Sequence, residues 1–135
     1  MTENAVETIG EYVAEQRAWL AGPHGMEPGT TPSTTLDLSK FSDAKFAEVI
    51  KSGCVLGKVT GTDTYGPYDP AATDGRATAV GLLVNSFSTV RNKAGRFNAR
   101  VIHAFVNESK LPYTGIGGLD ADAKADLKHL ILTGA

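Results

Sequence analysis

The sequence predicts a small, β-rich α+β domain with two short helices, carried behind an N-terminal arm. Three observations lead there. Gly22 to Thr35 reads GPHGMEPGTTPSTT, in which six of fourteen residues are Gly or Pro. Proline lacks an N–H and glycine costs extra backbone entropy, so this stretch neither continues a helix nor holds a central strand. After it come short apolar runs punctuated by turn residues, the pattern of short strands. Only two stretches of the body have helical character. The division is an arm of residues 1–35, with a helix over about 4–20 and a linker over 22–35, and a body of residues 36–135.

In the arm, Val6, Ile9, Val13 and Leu20 fall on one helical face with Tyr12 and Trp19 on its flank. Glu3, Glu7, Glu11 and Glu15 form a stripe on the other side. Like charges four residues apart repel, so this helix needs a surface to receive its apolar face. That surface is either the chain's own body or a partner, and Val6, Ile9, Tyr12, Val13, Trp19 and Leu20 are the candidate docking residues. The linker spans up to ~45 Å when extended. Its Thr-rich end, Thr30 to Thr35, suits an extended segment that adds itself to another protein's sheet edge.

In the body, Leu36 and Leu38 alternate with Asp37 and Ser39, predicting a half-buried strand over Thr34 to Lys40. Ser42 to Lys51 is expected as a short helix burying Phe46, Val49 and Ile50. Cys54 to Thr60 is a strand. Tyr65 to Gly75 (YGPYDPAATDG) is a turn-rich excursion, and Ala77 to Val84 a central strand. Phe87 to Arg91 and Phe97 to Val106 flank a hairpin turn at Asn92 to Gly95. Asp120 to Leu127 is the second helix, and Leu130 to Leu132 closes the chain as a short strand.

The totals limit the function. The 135 residues suffice for one domain whose core needs no disulfide or metal. A formal charge of −2 argues against a protein built around the phosphate backbone. Cys54 is the single cysteine and reads as a small buried hydrophobe. The acidic N-terminus is unlike a secretory signal, and the longest apolar run, Ala79 to Val84, is far short of a membrane span. A soluble, intracellular chain is expected, for which the Asn107-Glu108-Ser109 sequon carries no meaning.

Chemistry is hard to find. No Gly-x-Ser-x-Gly elbow occurs. His24, His103 and His129 lie far apart in sequence, so no metal site is expected. Asp120-Ala121-Asp122-Ala123-Lys124 begins like a calcium loop but lacks its glycine and closing glutamate. Gly115-Ile116-Gly117-Gly118 reads as a turn rather than a phosphate cradle. Arg91, Lys93, Arg96 and Arg100 around Phe97 form a basic hairpin: a solvated tip, a patch for an acidic partner, or a weak single-strand grip. Tyr65, Pro67 and Tyr68 are either a recognition loop or the cover of a core edge. No catalytic, cofactor-binding or metal residue is assigned. Binding leads, with a small intracellular protein-binding module, or a weak nucleic-acid binder using Arg91–Arg100, as the alternatives.

Three segments then point to a family. Ser52-Gly53-Cys54-Val55-Leu56-Gly57-Lys58-Val59, Tyr68-Asp69-Pro70-Ala71-Ala72-Thr73-Asp74-Gly75, and Ala77 to Leu83 resemble, in order and spacing, the head decoration proteins of tailed phages, the lambda protein D type. Val106 to Pro112 is also similar to members of this group, and the resemblance extends over roughly residues 30 to 133. It implies a non-enzymatic cement protein without cofactors, assembled in the host cytoplasm and lying on the virion's outer surface. It implies homotrimers at threefold and quasi-threefold positions of the expanded capsid, bracing it against packaged DNA. The partners would be the major capsid protein and neighbouring trimers, with no membrane and no specific nucleic acid. By the same resemblance, Met26, Glu27, Pro28, Gly29, Thr30, Thr31, Pro32, Ser33 and Thr34 form the capsid-binding arm. The helix over 4–20 departs from the family's short-armed pattern.

Overall fold

A computed structural model describes residues 17–27, 30–89 and 98–133. Its centre is a closed five-stranded barrel. The strands are β1 (Ser33–Leu36), β3 (Val55–Lys58), β4 (Thr64–Pro67), β5 (Ala79–Leu83) and β7 (Asn98–Val101), in the order β1-β4-β3-β5-β7. β3 pairs antiparallel with both β4 and β5, and β5 antiparallel with β7. β1 closes the ring, running parallel to β4 through Thr35↔Thr64 and antiparallel to β7 through Thr34↔Asn98. Closure leaves the barrel no unpaired edge.

Two small sheets flank it. β2 (Val49–Ile50) pairs antiparallel with β6 (Phe87–Ser88). β8 (Ala104–Asn107) runs parallel to β9 (Leu130–Thr133) in the register Phe105↔Ile131. A parallel pair needs a crossover, and here it contains the short helix α1 (Ala121–Asp126). The Asp120 side chain caps α1 by accepting from the Ala123 N–H at 2.8 Å, and Asp126 Oδ2 accepts the Ala79 N–H at 3.0 Å, fastening the helix to β5.

This corrects the expected two-helix α+β class. The described residues are mainly β, with one six-residue α-helix and three short 3-10 turns. The helix expected over Ser42 to Lys51 is a 3-10 turn, Ala44–Phe46, capped by Asp43, followed directly by β2. Phe46 and Ile50 are buried, but β-branched Val49 and Ile50 gain more by pairing with Phe87 and Ser88 than by closing a second helical turn. The strand expected to run to Lys40 ends at Leu36. There Asp37 accepts from the Ser39 N–H and hydroxyl and turns Leu38–Lys40 into a 3-10 turn. The excursion from Tyr65 begins instead as strand β4, whose last residue, Pro67, lies opposite Leu56. The strand predicted over Phe97 to Val106 is broken at Ile102–His103 into β7 and β8. The turn at Asn92 to Gly95 lies outside the described residues.

The core has two parts. One gathers Leu36, Phe41, Phe46, Ile50, Cys54, Leu56, Tyr65, Leu83, Phe87 and Tyr113. The other holds Trp19, Val55, Tyr68, Leu82, Val101 and Val106 with Ala123 and Leu127 from the crossover and Leu130 from β9. Trp19 thus brings part of the N-terminal region into the body's own core.

Candidate interaction site: the N-terminal strap and the surface it crosses

Residues 17–27 and 30–36 belong to a strap tied to the body at three places. The first tie is Trp19, 1% exposed, whose indole N–H donates to Ser52 Oγ at 3.3 Å. Its pocket requires Gly53, which sits at φ +96°, and a Cβ there would lie 2.8 Å from the indole nitrogen. Leu20 bridges Val106. The Asn107 N–H donates to the Trp19 carbonyl at 2.7 Å, and the Ala21 N–H to the Phe105 carbonyl at 2.9 Å. The strap therefore covers one edge of β8 while β9 covers the other. The Arg17 guanidinium adds bonds to the Val84 carbonyl and the Asn85 side chain.

The second tie is a turn at Gly25. With φ +100° and the His103 carbonyl only 2.1 Å from where a Cβ would stand, this position admits glycine alone. Glu27 organises the turn, accepting the Gly25 N–H at 2.7 Å on one oxygen and meeting His24 Nδ1 at 3.2 Å with the other. Its carboxyl lies below the usual range, held there by backbone hydrogen bonds first and by His24 second. The Thr30 hydroxyl closes the loop on the Glu27 carbonyl at 2.6 Å. The third tie is β1. The Arg100 N–H donates to the Pro32 carbonyl at 3.1 Å, and the Arg100 guanidinium, seated 4.7 Å from the Tyr65 ring centre, donates to Ser33 O and Thr34 Oγ1.

The residues expected in the arm are therefore distributed unevenly. Trp19 is buried, Leu20 and Met26 pack against the same core, and Arg17–Leu20 form a turn ending in a bridge rather than a helix. Thr30 is exposed, Thr31 and Pro32 are half-buried, Ser33 is exposed, and Thr34 is buried in β1. Val6, Ile9, Tyr12 and Val13, with Pro28 and Gly29, lie outside the described residues, as do Arg91, Lys93 and Arg96 of the basic hairpin.

Other candidates are structural. Tyr65, Pro67 and Tyr68 are all buried, so these three side chains cover the core rather than present a recognition surface. The Tyr68 hydroxyl donates to Asp120 Oδ1 at 2.9 Å, and burial with that neighbouring carboxylate pushes its pKa up. Gly117 donates its N–H to the Tyr68 carbonyl and accepts from the Val55 N–H, so the glycine turn bridges core strands. Cys54 is fully buried and burial pushes its thiol up, away from reactivity. No helix among the described residues is long and apolar enough to cross a membrane.

One surface was not anticipated from the sequence. Among the described residues, the large exposed apolar side chains are Ile102, Phe105 and Ile131, at 38, 39 and 46% exposure. Phe105 and Ile131 are register partners on the outer face of β8–β9. All three histidines gather beside them. The His24 ring stands 4.7 Å from His103 and 5.6 Å from Phe105, and His103 stands 6.4 Å from His129. The apolar residues follow strand alternation and were traceable in principle, whereas the histidines come from three distant segments.

The sequence pattern of the family described as bacteriophage lambda head decoration protein D matches residues 38–130, and the chain belongs to that family. It is a phage head decoration protein, and the family is structural. No individual curated protein and no solved structure matches the chain.

Proposed function

We propose that this chain is a capsid cement protein. It binds the expanded head as homotrimers at threefold and quasi-threefold positions, with the major capsid protein as its partner, and braces the shell against packaged DNA. It acts on the outer surface of the virion after assembly in the host cytoplasm. The observation that carries this reading is the family match across residues 38–130. The grip is assigned to the N-terminal region, residues 1–16 together with the exposed positions of 27–33. A trimer presents three such segments, and the avidity of simultaneous attachment turns weak contacts into a lasting one.

Cryo-EM of the protein mixed with expanded heads that lack it tests this, beside a variant lacking residues 1–16. That truncation leaves Trp19 and β1 in place, whereas deletion to residue 35 would remove a core side chain and a barrel strand. Trimeric density at threefold positions, weakened in the truncated variant, is the expected result. Heads without added density would sink the proposal for that capsid, and full occupancy by the truncated trimer would remove residues 1–16 from the grip and leave it to the exposed positions of 27–33 or to the body.

A further inference from the structure

The histidine group beside the Gly25 turn has the makings of a metal site. Each ring comes from a different segment: His24 from the strap, His103 from the break between β7 and β8, His129 from the turn before β9. All three are exposed, so an ion and its waters reach them freely. Imidazole binds first-row transition metals, while magnesium and calcium prefer oxygen donors.

Distance selects the pair. Two imidazoles bound through nitrogens at ~2.1 Å, with ring centres about 1.1 Å further back, stand about 4.5 Å apart at a right angle and about 5.2 Å at the tetrahedral angle. His24 and His103, at 4.7 Å, fall between these limits. His103 and His129, at 6.4 Å, would need an almost linear arrangement. In keeping with this, no group of three or more His, Cys, Asp or Glu among the described residues is placed to hold a metal ion.

His24 is also supported in the way a metal-binding histidine usually is. Such a ligand gives its second ring nitrogen to a carboxylate, which fixes the tautomer and raises basicity at the first. Glu27 Oε2 lies 3.2 Å from His24 Nδ1, and Glu27 is itself held by the Gly25 N–H on its other oxygen. With Nδ1–H donating to Glu27, the Nε2 lone pair is left for a ligand. We propose that His24 and His103 form an exposed two-nitrogen site for a divalent transition-metal ion of the Zn²⁺, Ni²⁺ or Cu²⁺ class, with Glu27 as the positioning residue and water completing the coordination. The site does not depend on the decoration role.

The experiment titrates untagged full-length protein with NiCl₂, and separately with ZnCl₂, by isothermal titration calorimetry, while NMR follows the histidine side-chain signals. One ion per chain is expected, with the His24 and His103 signals perturbed first. His24→Ala and His103→Ala should each weaken binding at least tenfold, and Glu27→Gln on the order of tenfold, as for other carboxylates behind metal-bound histidines. Circular dichroism melts of His24→Ala and His103→Ala should change little, since both side chains lie on the surface. Absence of saturable binding at millimolar metal would overturn the proposal, as would wild-type affinity in His103→Ala. A loss in His129→Ala as large as that in His103→Ala would overturn the two-nitrogen assignment.

Discussion

The barrel and the β8–β9 ribbon solve the edge problem of a β-sheet differently. In the barrel each strand is paired on both sides, and β1 completes the ring with one parallel and one antiparallel partner. In the ribbon β8 has β9 on one side and only residues 19–21 on the other, and its outer face leaves Phe105 and Ile131 in solvent. Closure gives the barrel rigidity and little capacity to take on a partner. The ribbon keeps apolar surface available, and its protection depends on the strap. Exposed apolar surface therefore lies on the ribbon, and two-sided strand pairing in the barrel.

Removing the strap's anchor is the most severe test of that contrast. Trp19→Ala empties a site 1% exposed and leaves Ser52 without its indole donor. Truncation of a buried aromatic costs about 3–5 kcal/mol, a large share of a stability of about 5–15 kcal/mol. The milder Trp19→Phe should remain folded. In hydrogen exchange its Ala21 and Asn107 amides, which tie strap and ribbon, should lose protection while the Leu83 amide in β5 keeps it. Equal loss at all three would mean that strap and barrel unfold as one unit and would break the comparison.

A smaller effect is expected where the barrel meets the crossover. Tyr68, just past β4, donates to the Asp120 oxygen that also caps α1. Tyr68→Phe keeps the buried ring but removes a hydrogen bond to a charged group, with an expected cost of about 1.5–3 kcal/mol. Urea denaturation should show a lower midpoint with an unchanged slope. A wild-type midpoint would mean that the helix is held by Asp126 on β5 and apolar packing alone.

What could be read in advance follows the same division. Apolar runs such as Val55-Leu56 and Ala79 to Leu83 marked barrel strands because burial on a barrel wall is a local pattern. β4 was hidden, because Gly66 and Pro67 carry turn character that its neighbours β1 and β3 override. Val49 and Ile50 suited a helix on periodicity and became a strand through a partner almost forty residues away. Trp19 was placed on the flank of a helix, although its burial depends on Ser52, Gly53 and Val106, which no local pattern connects to it. The histidines were set aside for their separation in sequence, and a fold with a crossover and a strap brings such residues together. Local chemistry was legible, and convergence was not.

The smallest expected effect lies on the barrel's outside, at Asp74. Both its carboxylate oxygens accept from Arg76 Nε at 3.0 Å, Lys40 Nζ stands 3.2 Å away, and the Arg76 N–H adds a longer bond. Burial alone would raise the carboxyl, but the Arg76 and Lys40 bonds outweigh it and bring the pKa from 3.8 to about 2. The folded value is the depressed one, so the stabilisation is complete above the unfolded pKa and is lost as pH falls from about 4 through about 2. Because the side chain is 28% exposed, solvent screening holds its worth near the 1 kcal/mol typical of a good surface pair, or about 3 °C in Tm. Asp74→Asn should therefore melt a few degrees below wild type at pH 7, and the two curves should converge near pH 2. A gap of constant size across that range would show that the amide disturbs the turn through its shape, and that the barrel draws nothing from the charge of Asp74.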